Sequence, residues 1–173
     1  MQNWMQALAV HYEKMRAQYP RDDLLILFDI DGTILDIRYS MLYLLQAYDL
    51  HHGTEFFINR SITDINFTID ELESGLSGLR VDEAHYTAIR RWYENHCWSM
   101  SAILESHRPF PGVLDVIRWF QLQPHTHVGL NTARAESLRE ETLCSLNKLG
   151  REYRVHFSSD LCSSCARRPA VNV

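Results

Sequence analysis

Leu24-Leu25-Ile26-Leu27-Phe28-Asp29-Ile30-Asp31-Gly32-Thr33-Ile34-Leu35-Asp36 is the stretch whose reading decides the fold. Five apolar residues run into two carboxylates spaced by one residue, then into a Gly-Thr turn. So dense a run predicts a strand buried on both faces, hence a parallel strand of an α/β sheet. Side chains alternate along a strand, so Asp29 and Asp31 share one face if the strand continues through them. Gly32 then lets the backbone turn sharply. Two acids are thereby expected at the C-terminal end of a parallel strand, where open α/β sheets bind ligands. Carboxylates this close repel each other, and ending an apolar strand on them calls for a cation to hold them together.

Outside this stretch, 173 residues make one ordinary domain, or a core with an inserted cap. A 46% apolar share suffices for a packed interior. A formal charge of -5 and a pI near 6.0 give no basic surface for nucleic acid. Met1-Gln2-Asn3-Trp4 shows no basic region leading into an apolar one, so no signal peptide is expected. No run approaches the ~18 apolar residues of a membrane span. Four cysteines are too few for a disulfide scaffold and fit a reducing cytoplasm.

Residues 2–19 space Trp4, Met5, Leu8, Ala9, Tyr12 and Met15 by threes and fours, predicting an amphipathic helix that Pro20 ends. From 37 to 107 no parallel strand is expected. The block reads as all-helical, with one helix from about Tyr39 to Leu50 and another around Ile69 to Leu79. Asp82 N-caps a long third helix from about Glu83 to Leu104. Trp92, Tyr93 and Trp98 are read as packing between these helices. His51-His52 is read as a solvated helix end, since no Cys or acidic pair accompanies it at ligand spacing. After Pro111-Gly112 comes a short helix, then a second strand, His127-Val128-Gly129-Leu130-Asn131, ending in Thr132-Ala133-Arg134. Ala135 to Leu149 is patterned as a helix stopped by Gly150. Tyr153-Arg154-Val155-His156-Phe157 is read as a third strand, with Ser158-Ser159-Asp160 as its exit loop.

Asp29, Asp31, Gly32, Thr33 and Asp36 occupy every fixed position of Asp-x-Asp-Gly-Thr followed by Asp, and so resemble motif I of the haloacid dehalogenase-like (HAD) superfamily. The apolar strand ending in Thr132 resembles that family's motif II. The resemblance implies an α/β fold: a HAD-like Rossmannoid parallel sheet with an inserted all-helical cap. On that basis 1–36 and 108–173 form the core and 37–107 the cap. It further implies a phosphatase acting through an aspartyl-phosphate, with Asp29 as nucleophile and Asp31 as acid and base. Members that dehalogenate lack the second acid, so Asp31 favours phosphoryl transfer. Gly32, Thr33, Thr132, Ala133 and Arg134 would bind the phosphoryl group, although Arg134 is equally read as the start of a helix. Mg2+ would be held by the Asp29 side chain and the Asp31 backbone carbonyl. Asp36 is read as a hydrogen-bond acceptor that steadies the loop. The partner expected is a phosphorylated small molecule, with neither nucleic acid nor membrane.

The resemblance is incomplete. After Leu161 the chain reads Cys-Ser-Ser-Cys-Ala-Arg-Arg-Pro-Ala-Val-Asn-Val. Arg168-Pro169 stands where motif III is expected, and nothing corresponds to the acidic motif IV. The core is therefore expected to be truncated after about the third strand, the mark of a shortened or frame-altered product. Leu24 to Phe28 would then form an open sheet edge prone to self-association. The alternative function is an inactive HAD-like fragment acting by binding or self-association. Cys162 and Cys165 have no second pair and are read as part of a disordered tail rather than a zinc or redox site.

Overall fold

β1 (Leu24–Asp29) forms where expected and pairs in parallel with β2 (Thr126–Thr132), in register from Leu24 opposite Thr126 to Asp29 opposite Asn131. β2 pairs in parallel with β3 (Cys162–Ser164), so the sheet order is β1-β2-β3. The helices are α1 (Trp4–Gln18), α2 (Ile37–His52), α3 (Leu72–Gly78), α4 (Tyr86–His96), α5 (Val113–Gln121) and α6 (Arg139–Gly150). The structure, a computed structural model, describes residues 4–164. It is an α/β fold: a parallel sheet, with the residues between β1 and α5 largely helical.

The expectation that β1 is buried on both faces is corrected. Phe28, Val128 and Leu130 pack with Tyr12 of α1, Ile117 and Phe120 of α5, and Leu143 and Leu146 of α6. Leu25 and Leu27, on the opposite face, are 54% and 56% exposed. Strand side chains alternate, and these helices cover only one side. Leu27 pairs with Gly129 of β2, where a Cβ would come within 2.8 Å of a Leu27 methyl and 3.2 Å of a Leu25 methyl. β1 also ends the sheet, with β2 as its one strand neighbour among the described residues. α1 is tied to the sheet through Arg16, whose guanidinium donates to the carbonyls of Asp22 and His125 at 2.8 and 2.6 Å, one before each of β1 and β2.

The helical segment has its own apolar cluster, built on Met41, Leu45 and Tyr48 of α2, Leu72 and Leu76 of α3, and Ile89 of α4. α2 starts on Asp36, whose side chain accepts from Arg38 N–H, and stops at Gly53 in the left-handed region with φ 68°. Asp36 therefore serves as the acceptor that the sequence suggested. Buried Asp49 anchors the next loop by accepting from the backbone N–H of Phe57 and Ile58 and the hydroxyl of Thr54. Trp92 donates its indole N–H to Leu44 O at 2.9 Å, stitching α4 to α2, and His51 and His52 are exposed beside its ring.

Two further expectations are corrected. The long helix after Asp82 is interrupted. Asp82 does cap, accepting from Ala84 N–H, but α4 ends at His96 and a π-helical turn, Ala102–Ser106, follows. The strand expected at 153–157 is a turn and irregular chain, and β3 lies further on. Here Tyr153 and Val155 donate back to Gly150 O, and Arg154 takes a positive φ of 56°. The Phe157 backbone is bonded on both sides by the Asn147 amide, at 2.8 and 3.2 Å, rather than by a neighbouring strand. Val155 and Phe157 are both buried, which explains the strand-like alternation. Gly150 does end α6, and the close approach of Val155 O, 2.7 Å from where a Cβ would sit, leaves room only for glycine. Cys162, expected in a disordered tail, is instead buried as the first residue of β3, its carbonyl accepting from Arg139 Nη1 at 2.6 Å, while Cys165 and Arg168 lie outside the described residues.

Candidate active site

Asp29 is the last residue of β1. The chain then tightens: Ile34 and Leu35 N–H both donate to Ile30 O, and Gly32, at φ 82°, donates to Leu35 O at 2.9 Å. Phe110 N–H donates to Ile34 O and Asp36 N–H to Arg108 O, which lashes this loop to the chain returning from the helical segment. Ile30, Ile34 and Leu35 are buried beneath it. Gly32's N–H, expected near a phosphate, is thus taken by Leu35 O. Because the strand stops at Asp29, simple alternation does not relate Asp29 to Asp31; the tight loop does. They remain close enough to interact. Asp29 is exposed at the strand end, and partial desolvation by the surrounding loop is the chief cause that raises its carboxyl above the ordinary value, with the charge of Asp31 adding to it. The neighbouring Ile30 N–H and Arg134 act in the opposite sense.

The β2 loop supplies the counter-charge. Thr132 is buried at the end of β2 and its hydroxyl accepts from Arg134 N–H at 3.1 Å; Ala133 between them is exposed. That turn sends the Arg134 side chain inward, where it is 3% exposed. Its Nε and Nη2 donate to the two oxygens of Asp31 at 2.8 and 2.6 Å, a bidentate fork. Nη1 donates to Thr142 of α6 at 3.1 Å, and Nη2 also meets His107 Nε2 at 3.2 Å. Trp98 lies over the guanidinium face at 5.0 Å, a cation–π contact from the helical segment. Asp31 and the Thr132-Ala133-Arg134 tip therefore meet at one end of the sheet, with Asp29 beside them. Thr33 is exposed on the turn. Tyr93 adds a phenol that burial pushes up to about 12, with Cys97 and Asp31 contributing, so it stays a donor at any ordinary pH.

His107 is buried, and its value is lowered to about 4, first by burial and then by Arg134. A depressed histidine stays neutral in the fold while the unfolded chain takes up a proton from about pH 6.5 downward. Stability is therefore full above pH 6.5 and drains as pH falls toward 4. From 6.5 to about 4, the loss is on the order of 3 kcal/mol at about 1.4 kcal/mol per pH unit. Urea unfolding of the parent and of His107→Gln at pH 7 and pH 4 measures this. The variant is expected to lose less than the parent; equal losses would contradict the assignment.

A HAD family hydrolase from Deinococcus radiodurans R1, solved with bound phosphate and sodium, superposes with a TM-score of 0.43 at 14% identity. The match covers 79% of this chain and 57% of that protein, so the chain spans little more than half the length of its neighbour. No protein-family model matches the sequence, and no curated protein does.

Of the residues the sequence singles out, Asp31, Thr132 and Arg134 are brought together with Asp29 beside them, while the groups around the guanidinium were not anticipated. Thr142 and Ser145 carried a weak signal, as polar residues three apart on an otherwise apolar helix face. His107 carried none, and Trp98 was read as helix packing.

Proposed function

We propose that this chain is a HAD-like phosphohydrolase that splits phosphomonoesters of small molecules through an aspartyl-phosphate on Asp29. Asp29 attacks phosphorus, an Asp29 oxygen–phosphorus bond forms, and the phosphorus–oxygen bond to the alcohol breaks. Asp31, an anion in its fork with Arg134, takes up the proton that the monoanion of the ester brings and passes it to the departing alkoxide. It then takes one from the water that attacks phosphorus, releasing inorganic phosphate and restoring Asp29. The fork from Arg134 leaves this open, since each carboxylate oxygen has a second lone pair and Asp31 is 33% exposed. Residues 37–107 act as the cap and the rest as the core; Gly32, Thr33, Thr132, Ala133 and Arg134 frame the phosphoryl site. The observation that carries this reading is the convergence of Asp29, Asp31 and the tip of β2 at one sheet end.

The family resemblance implies Mg2+, and the described residues do not complete a site for it. No group of three or more His, Cys, Asp or Glu side chains among them could hold a metal ion. Both Asp31 side-chain oxygens already accept from Arg134. Magnesium needs near-octahedral oxygen ligation, so the Asp29 carboxylate and Asp31 carbonyl leave most positions to water or to groups outside the described residues.

Specific observations favour a second reading, a HAD-like chain that binds or self-associates without turnover. They are that incomplete ligand set and the edge position of β1 with Leu25 and Leu27 half-exposed. No described helix is long and apolar enough to cross a membrane. The free thiols of Cys97, Cys144 and Cys162 suit a cytoplasmic setting. Inorganic phosphate release from phenyl phosphate, titrated with MgCl2, separates the readings. Saturable activation is expected; no release at any concentration would leave the second reading standing.

A further inference from the structure

Arginine has only donors, so the nitrogen facing Arg134 Nη2 at 3.2 Å must accept. That nitrogen is His107 Nε2, and a proton on it would set two N–H groups against each other. The single proton of the neutral ring then sits on Nδ1, 2.8 Å from Ser145 Oγ, and donates to it. The Ser145 hydroxyl sends its own proton to Ile103 O at 3.0 Å. Four groups in series thus have one consistent set of hydrogen directions, from Arg134 through His107 and Ser145 to a backbone carbonyl. His107 and Ser145 are both buried, so water does not readily replace a missing partner. The depressed value of His107 agrees with a neutral ring.

We propose that His107 is a positioning residue that, as the Nδ1-protonated neutral imidazole, holds the Arg134 fork in register on Asp31. Thr142 restrains the other guanidinium nitrogen and Trp98 covers its face, but neither bonds Nη2, the atom that also grips an Asp31 oxygen. His107 also sits at the root of the helical segment. It caps the turn Ala102–Ser106 and directly precedes Arg108, whose carbonyl receives Asp36 N–H. The direction of Asp31 is therefore tied to the point where that segment rejoins the sheet. The catalytic consequence rests on the phosphohydrolase reading; the hydrogen-bond assignment does not.

Two variants of the full chain separate positioning from bulk stability. In His107→Gln the amide oxygen reaches the place of Nε2 and accepts from Arg134. In His107→Asn the amide reaches only the place of Nδ1 and serves Ser145. Phenyl phosphate turnover is expected to fall about 10- to 100-fold in Asn and to recover to within about 3-fold of the parent in Gln, mainly in kcat. Equal losses in both, or none in Asn, would overturn the proposal. Independently of turnover, 15N-detected imidazole spectra at pH 7 are expected to show His107 protonated on Nδ1 and bare on Nε2. The slowly exchanging Arg134 Nε–H signal should persist in Gln and weaken in Asn. A His107 proton on Nε2, or an Arg134 signal indifferent to both variants, would overturn it too. Absence of turnover in the parent alone would strike the function and leave these spectra to decide the assignment.

Discussion

Asp29→Asn is expected to bring phenyl phosphate hydrolysis down by about three orders of magnitude or more. The amide keeps the shape of the side chain at the end of β1 and can still accept from the Ile30 N–H that stands beside it. It loses the anionic oxygen that must bond to phosphorus. The loss should therefore appear in kcat, while inhibition by inorganic phosphate persists. Partial desolvation and the charge of Asp31 raise the Asp29 carboxyl, so activity in the parent should also fall on the acid side of the pH profile at a pH above the ordinary carboxylate value. Full activity in Asp29→Asn would remove Asp29 from the chemistry.

The largest stability effect is expected at Arg134. Its guanidinium is 3% exposed and bonds Asp31, Thr142 and His107 at once. Arg134→Met keeps much of the stem volume and strips every donor. Thr142 and His107 lose a buried donor partner, and Asp31 keeps its charge with no counter-ion. Breaking a buried pair from one side costs roughly 3–5 kcal/mol. Asp31 is 33% exposed and partly solvated, which puts the expectation near the lower end, about 3 kcal/mol. Asp31→Asn should cost less, because an amide oxygen still accepts from the fork. Urea unfolding at pH 7 measures both; an Arg134→Met loss under about 1 kcal/mol would mean that the cluster contributes little.

The strand carrying Asp29 was legible because an apolar run ending in acids has few other homes, and β2 followed from its apolar run into a Thr-led turn. The helical character of 37–107 was legible from its periodicity. What misled was local. Val155 and Phe157 alternate like a strand because both face the core, yet a side-chain amide from Asn147 satisfies the backbone there. Burial of Leu25 and Leu27 was inferred from hydrophobicity, which reports what a face prefers and not whether anything covers it. The Arg134 cluster was half legible: Arg134 was placed at the site, Thr142 and Ser145 follow it on α6, but His107 comes from the far end of the helical segment. No spacing rule joins residues that only tertiary packing brings together. Histidine at 107 also has the same one-letter look as the exposed pair at 51 and 52, and only its burial between α6 and the loop from the helical segment separates them.

The most direct measurement is an acid quench during turnover of phenyl phosphate, followed by peptide mass spectrometry of the chain. One phosphoryl group on the peptide spanning Leu24 to Asp36, mapped to Asp29 and absent from Asp29→Asn, is the expected result. Turnover with no covalent phosphate on that peptide, or with the group on another residue, would contradict the nucleophile assigned to the end of β1.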